Sequence, residues 1–388
     1  MHRLLSIILS LSLGLVCGVI ILIIVYAKLI PPDSALYSPL VSLIEFQKPQ
    51  VVGFLPYWLV GRAQNSYKNK VTTLTYFSLT IDSDGKILKL TNPQEEEPGW
   101  TTLKKDSLQE RLTQTKKEKM TISLLVHNSD EKSIAKLLEN PVLSAQNLIS
   151  EVAPMMKQTG FTDLNIDIES FQNASESTQV PFTQFLKEVK NGVTQNNLGT
   201  LTVELTPISL IKTRLTNPKE IGEIADFVVL MAYDYHYANS YLAGPVAPVG
   251  GAGTVREFDV ETAIQQALNI MPENKIILGI PLYGYEWDTI DNTPGAPTVP
   301  GTGKTASTRR VEEEMLGSCD KCTKGMEKEA QQPFIIIPEN SYFRQVFYEN
   351  KDSLNKKLDL VKKYKLGGIA LWALGYEDNS ILNPLIYF

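Results

Sequence analysis

From Pro49 to the C-terminus, short apolar runs recur, with helix-length or polar stretches between most of them. They are Val51–Tyr57, Leu74–Thr80, Thr121–His127, Leu164–Glu169, Leu201–Thr206, Phe227–Tyr233, Ile276–Pro281 and Gly368–Leu374, eight in all. Most are continuously apolar at their centres, which suits strands of a parallel sheet covered by helices. Amphipathic segments of helical length lie between several of them: Ser107–Lys117, Val142–Gln158, Pro181–Gln195, Val260–Met271 and Asp352–Tyr364. Eight strands alternating with helices over roughly 340 residues fit a (β/α)8 barrel, the TIM-barrel form of an α/β protein. A doubly wound open sheet is the competitor. It is disfavoured because no glycine-rich phosphate loop follows the first strand.

Two connections are long. The stretch after the sixth run, Asp234 to about Arg256, is rich in Tyr, Gly, Ala and Pro. After the seventh run, a small α+β insertion is expected over about residues 286–350. It combines a Pro/Gly/Thr loop, the charged helix-like Arg309–Met315, a cysteine pair, and the strand-like Phe334–Pro338 and Tyr342–Phe347. Catalytic side chains of such a barrel sit at the carboxyl ends of the strands, so an insertion there walls the mouth of the site. The pair Cys319 and Cys322 forms a C-x-x-C. A metal site asks for about four ligands, and the chain has three histidines, His2, His127 and His236, none near the pair in sequence. A local disulfide is the favoured reading outside the cytoplasm, with free thiols and metal as alternatives.

The N-terminal segment is a separate object. From Leu4 to Ala27 no residue is charged and nearly all are apolar, enough for a bilayer-spanning helix of about 20 residues. Residues 1–28 are therefore expected to anchor the chain in the lipid bilayer, and residues 29–49, with Pro31-Pro32 and Ser38-Pro39, to form a linker. The remaining 50–388 then lie outside the cytoplasm, held at the cell membrane by a single pass. The alternative is a secreted protein released by signal cleavage after Val25-Tyr26-Ala27. The apolar stretch exceeds the usual signal core of about 7–15 residues. A net charge of −6 excludes nucleic acid as the main partner, because no basic excess is present to neutralise phosphates.

The run Leu164-Asn165-Ile166-Asp167-Ile168-Glu169 carries the chemistry. On a strand, Asn165, Asp167 and Glu169 share one face and the three aliphatics share the other. Two like charges side by side are costly, and a proton on Glu169 relieves that cost. A carboxyl held protonated near neutral pH is what a general acid needs. The bland alternative is a solvated edge strand. Other strand ends carry Pro56-Tyr57-Trp58, Met231 to His236, then Tyr283, Tyr285 and Trp287, and finally Trp372. Carboxylates ringed by aromatics suit a sugar, whose C–H faces meet aromatic planes and whose hydroxyls meet polar groups. Packing explains such aromatics equally well one at a time.

These motifs together resemble glycoside hydrolase family 18, and most of all its spore-germination and cortex-lytic N-acetylglucosaminidase branch. The resemblance covers about Val51 to the C-terminus. It rests on Val52-Gly53-Phe54-Leu55-Pro56-Tyr57-Trp58, Leu164–Glu169, Met231–His236 with Gly244-Pro245-Val246-Ala247-Pro248, Ile277–Tyr285 and Gly367–Asp378. The family motif Asp-Gly-x-Asp-x-Asp-x-Glu reads here as Thr162-Asp163-Leu164-Asn165-Ile166-Asp167-Ile168-Glu169, with Asn165 in place of an Asp. The resemblance implies that Glu169 protonates the leaving oxygen of a β-1,4 bond next to N-acetylglucosamine. It implies that the substrate's own acetamido oxygen attacks the anomeric carbon, with retention. By the same resemblance Asp167 holds the acetamido N–H and Tyr233 the acetamido oxygen. Asn165 and Asp234 tune the carboxylates, Trp372 floors the sugar, and Tyr57 and Tyr285 are outer platforms. No cofactor and no metal is expected. Peptidoglycan or related glycan is the expected substrate. The alternatives are a chitinase or endo-N-acetylglucosaminidase on foreign glycan, and a catalytically inactive glycan-binding protein on the same barrel. Asp234 capping its loop, and His127 and His236 as satisfied rim residues, are the structural readings of those positions.

Overall fold

Each of the eight apolar runs forms a strand, and the strands close into a ring. The computed structural model describes residues 49–319 and 321–388. The expected anchor, residues 1–28, and its linker up to residue 48 lie outside the described residues. Among the described residues, no helix is long and apolar enough to cross a membrane. The barrel strands are β1 (Gln50–Pro56), β2 (Thr73–Thr80), β3 (Thr121–Asn128), β4 (Asp163–Ile168), β5 (Thr200–Leu205), β6 (Phe227–Leu230), β7 (Ile276–Pro281) and β8 (Gly368–Trp372). All neighbours run parallel, and β1 pairs with both β2 and β8, so the sheet has no free edge. Closure excludes the open doubly wound sheet.

Alternation along each strand separates two cores. On β4, Leu164, Ile166 and Ile168 face outward and pack with Leu148 and Val152 of the helix Pro141–Thr159 and with Phe182 and Phe185 of the helix Glu176–Gln195. The first of these helices buries Leu148, Val152 and Met156 at four-residue spacing, starts on a proline and stops at Gly160 with φ 86°. A positive φ is the usual glycine solution to a helix end. Each large apolar side chain so buried contributes ~1.5–3 kcal/mol. Inside the ring, Val52, Phe54, Phe77, Leu125, Val229, Ile277 and Ala370 form a second, smaller cluster. The same interior holds the buried polar residues Thr75, Asn165, Asp167, Thr202 and Glu204.

β6 stops at Leu230, short of the expected Tyr233. Ala232 N–H donates to the Leu230 carbonyl and Tyr233 N–H to that of Met231. These two-residue returns swing the chain out of the ladder, and Asp234 follows with φ 58°.

The insertion is an antiparallel five-stranded sheet. Tyr283–Thr289 pairs on one side with Lys304–Ser307 and on the other with Phe343–Phe347, which continues to Gln332–Pro338 and Thr323–Glu327. A single helical turn, Arg310–Met315, lies in the same unit. Only Leu282 separates the first strand of this sheet from β7. Cys319 and Cys322 are joined by a disulfide. Behind the sheet, Lys357 of the helix Lys351–Tyr364 donates to both oxygens of Glu349 at 3.0 and 2.9 Å, and Gln332 Nε2 donates to the same carboxylate at 2.7 Å. Lys357 and Glu349 are both fully buried, so this ion pair ties the last helix to the insertion without solvent.

Candidate active site

At the carboxyl ends of the strands lies a cavity of about 530 Å3, a size suited to a small ligand. Register brings its polar groups together. β3 and β4 pair so that His127 stands directly opposite Asp167. His127 Nδ1 lies 2.9 Å from Asp167 Oδ2, an N–H to carboxylate hydrogen bond. Asp167 Oδ1 is buried and has no partner among the described residues. Glu169 comes one residue after β4 ends, pinned by its N–H to the Asn128 carbonyl at 2.9 Å, and its half-buried carboxyl lines the cavity beside Asp167.

The electrostatics follow from this crowding. Burial first, then the charge of Asp167, push the Glu169 carboxyl up to about 7; His127 pulls the other way, and Asp234 adds the weakest push. Glu169 is thus poised to hold its proton at neutral pH. For His127, burial works against the charged ring, but the bond and charge of Asp167 and the charge of Glu169 together lift it above its ordinary value.

Tyr233 enters from the turn after β6. Gly279 on β7 makes room for it: a Cβ there would sit 3.0 Å from Tyr233 Cε1 and 2.8 Å from the Leu230 carbonyl. Burial, then the neighbouring carboxyls, raise the Tyr233 phenol well above the usual range, so it stays a hydrogen-bond donor. Asp234 is an exposed residue whose carboxyl end is nonetheless hemmed in. Tyr283 and Tyr285 donate their hydroxyls to its Oδ1 at 2.6 and 3.1 Å. Trp372, the last residue of β8, lines the cavity. Phe77 braces its ring edge-on at 4.5 Å between centroids and Phe54 at 5.8 Å.

Five expected site residues therefore meet at this cavity: Asp167, Glu169, Tyr233, Asp234 and Trp372. Three stand elsewhere. Asn165 is buried beneath the cavity, where its Nδ2 donates to Glu204 Oε1 at 2.9 Å. Tyr285 belongs to the first strand of the insertion sheet, which buries its ring and leaves it a donor to Asp234 rather than an exposed platform. Tyr57 packs against Trp58, with centroids 4.8 Å apart, outside the cavity lining. His127, read from sequence as a rim residue, is the partner of Asp167. Glu204 was absent from the expectations altogether, although Thr200, Thr202 and Glu204 alternate with aliphatics along β5 in the same way as the residues of β4. His127, Asp167 and Glu169 offer ligand-type atoms all within 4.8 Å of one another.

The family model for glycosyl hydrolases family 18 matches residues 50–377. A cortical fragment-lytic enzyme of Bacillus subtilis is 27% identical over 287 residues, 69% of this chain and 60% of that protein. A sporulation-specific glycosylase of the same organism is 25% identical over 253 residues, 62% of this chain and 53% of that one. The chain thus spans between half and two thirds of the length of these two relatives. Among solved structures, a Bacillus cereus spore cortex-lytic enzyme superposes with TM-score 0.67 at 21% identity, covering 87% of this chain and 74% of that one. A Group IV chitinase of Ostrinia furnacalis superposes with TM-score 0.74 at 19% identity, over 88% and 98% of the two chains. At such identities the superpositions speak for the fold. With the family model running from the first barrel strand to beyond the last, the chain belongs to glycosyl hydrolases family 18.

Proposed function

We propose that this chain is a membrane-tethered, extracytoplasmic hydrolase. It cleaves β-1,4 bonds next to N-acetylglucosamine, in peptidoglycan or a related glycan. The observation that carries the reading is the Glu169 carboxyl, lifted to about 7 in a cavity shared with Asp167, Tyr233 and Trp372. Glu169 gives its proton to the leaving oxygen. The substrate's acetamido oxygen closes on the anomeric carbon, and water later reopens that ring with retained configuration. Asp167 takes the acetamido N–H on Oδ1, which has no partner among the described residues, while Oδ2 stays with His127. Tyr233 donates to the acetamido oxygen, and Trp372 lies under the sugar ring. The relatives named for cortical fragments favour cell-wall glycan. The uncharged stretch Leu4–Ala27 favours a tether.

The test is turnover of N-acetylglucosamine oligomers and of purified peptidoglycan by the full chain and by Glu169→Gln. Loss of a general acid lowers kcat by about 10²- to 10⁴-fold. Equal turnover by both proteins removes Glu169 from the mechanism. Binding without turnover on either glycan points to a lectin. Fractionation of cells carrying the full chain, with release by detergent but not by salt, checks the tether.

A further inference from the structure

Glu204 is a buried acid that the reaction as described leaves unused. It projects from β5 into the barrel, lines the same cavity as Asp167 and Glu169, and is buried. Among the described residues, its one side-chain hydrogen bond comes from an amide, Asn165 Nδ2, at 2.9 Å. Glu204 thus shares one cavity with the carboxyls of Asp167, Glu169, Asp234 and Asp259, and the nearby imidazole of His127 is already committed to Asp167. A further negative charge with no cation of its own among the described residues is strongly disfavoured there. Burial first, then the charge of Asp167, and more weakly those of Glu169 and Asp163, push the Glu204 carboxyl well above the usual range despite the Asn165 bond.

A neutral carboxyl carries an O–H donor. Among the described residues two buried acceptors lack one: Oδ1 of Asn165, the amide that bonds Glu204, and Oδ1 of Asp167, which shares its cavity. Asn165 also lines a second cavity at the amino-terminal ends of the strands, bounded by Thr75, Asp163 and Thr202. It is therefore the floor between that cavity and the active site. The upper cavity contains Glu204 and Asp167 together.

We propose that Glu204 is a positioning residue, a carboxylic acid that holds Asn165 through one oxygen and offers its O–H to Asp167 through the other. Asp167 is then steadied in the orientation that meets the substrate's acetamido N–H, while its remaining oxygen stays on His127. No proton changes hands in this step. The proposal rests on the function proposed above for Asp167.

The experiment compares Glu204→Ala and Glu204→Gln in the full chain, with thermal melts to confirm folding. A misplaced Asp167 lowers kcat of Glu204→Ala by about 10- to 100-fold, with KM changed by less than about twofold. Gln, which keeps one donor and one acceptor, recovers most of that loss. Because the acid is neutral, the alkaline limb of kcat/KM in Glu204→Gln stays within about 0.3 pH units of wild type. An infrared band of a protonated carboxyl persists in wild type at about pH 8 and is missing from Glu204→Gln. A folded Glu204→Ala with wild-type kcat overturns the positioning role, as does a Gln variant no better than Ala. A limb that falls by about one unit or more in the Gln variant means that Glu204 acts as an anion, and an absent band says the same whatever the substrate. Failure of wild type to turn over any glycan overturns the functional reading instead, and the infrared arm still decides the state of Glu204.

Discussion

Glu169→Gln is expected to stabilise the protein, and only above mildly acidic pH. In the folded chain the Glu169 carboxyl titrates at about 7, against an ordinary value of 4.5. Below about pH 4 folded and unfolded chains both carry the proton, so Glu169 contributes no difference. As pH rises through 4.5 the unfolded chain releases its proton while the folded chain keeps it, and folding stability falls until the folded group also ionises near 7. A raised acid thus gives stability that is complete below its unfolded value and lost through its folded one. At 1.36 kcal/mol per unit the full loss comes to ~3 kcal/mol, and solvent entering the cavity mouth brings the expectation to about 2–3 kcal/mol. Gln cannot ionise and escapes the loss. Guanidinium unfolding of wild type and variant, run in parallel from about pH 4.5 to 8.5, reads the difference directly. The variant gains about 2–3 kcal/mol across that window while losing catalysis, and groups that do not interact with Glu169 cancel. A difference that is flat with pH, or a wild type more stable than the variant at the alkaline end, refutes the reasoning. Glu169 would then not be held protonated by its surroundings.

Asp167→Asn removes the charge that is second only to burial in raising Glu169. The alkaline limb of the residual kcat/KM should therefore move to lower pH, and a limb that stays near wild type contradicts the coupling. Trp372→Ala deletes the ring that Phe77 and Phe54 brace and should raise KM about tenfold, or ~1.4 kcal/mol, with kcat less affected. Lys357→Met leaves the fully buried Glu349 carboxyl without its cation. Denaturant titration should show a loss of ~3–5 kcal/mol, and Glu349→Leu in the same chain should restore much of it. Reducing the Cys319–Cys322 disulfide opens a loop of sequence separation three. It should lower stability by at most about 2 kcal/mol and leave kcat unchanged, since neither cysteine lines the cavity.

The barrel could be read from local pattern because each strand advertises itself within its own residues. Leu164, Ile166 and Ile168 must leave water together, and the period of two then turns Asn165 and Asp167 to the opposite side whatever the rest of the chain does. The same logic placed Trp372 at a strand end. It failed at Tyr285, which looks like a rim aromatic in sequence. The insertion sheet begins at Tyr283, so Tyr285 is paired on both sides and enclosed. It failed at Tyr57, where a single residue of turn past β1 aims the ring at Trp58 instead of the cavity.

The chain by itself therefore determined the eight-stranded architecture and the acid with its neighbour on one strand face. Those depend on side chains only one or two residues apart. What the tertiary structure decided is which groups oppose them: His127 across the β3–β4 register, Glu204 on the cavity side of Asn165, and Tyr283 and Tyr285 against Asp234. Each of these contacts joins residues 39 to 51 positions apart in sequence. Strand register brings His127 and Glu204 to their partners, and the turn after β6 with the insertion sheet brings Asp234 to Tyr283 and Tyr285. The burial that comes with the closed barrel, which no local pattern encodes, is the first cause of the lift on Glu169, and the charge of Asp167, its neighbour on the strand face, the second.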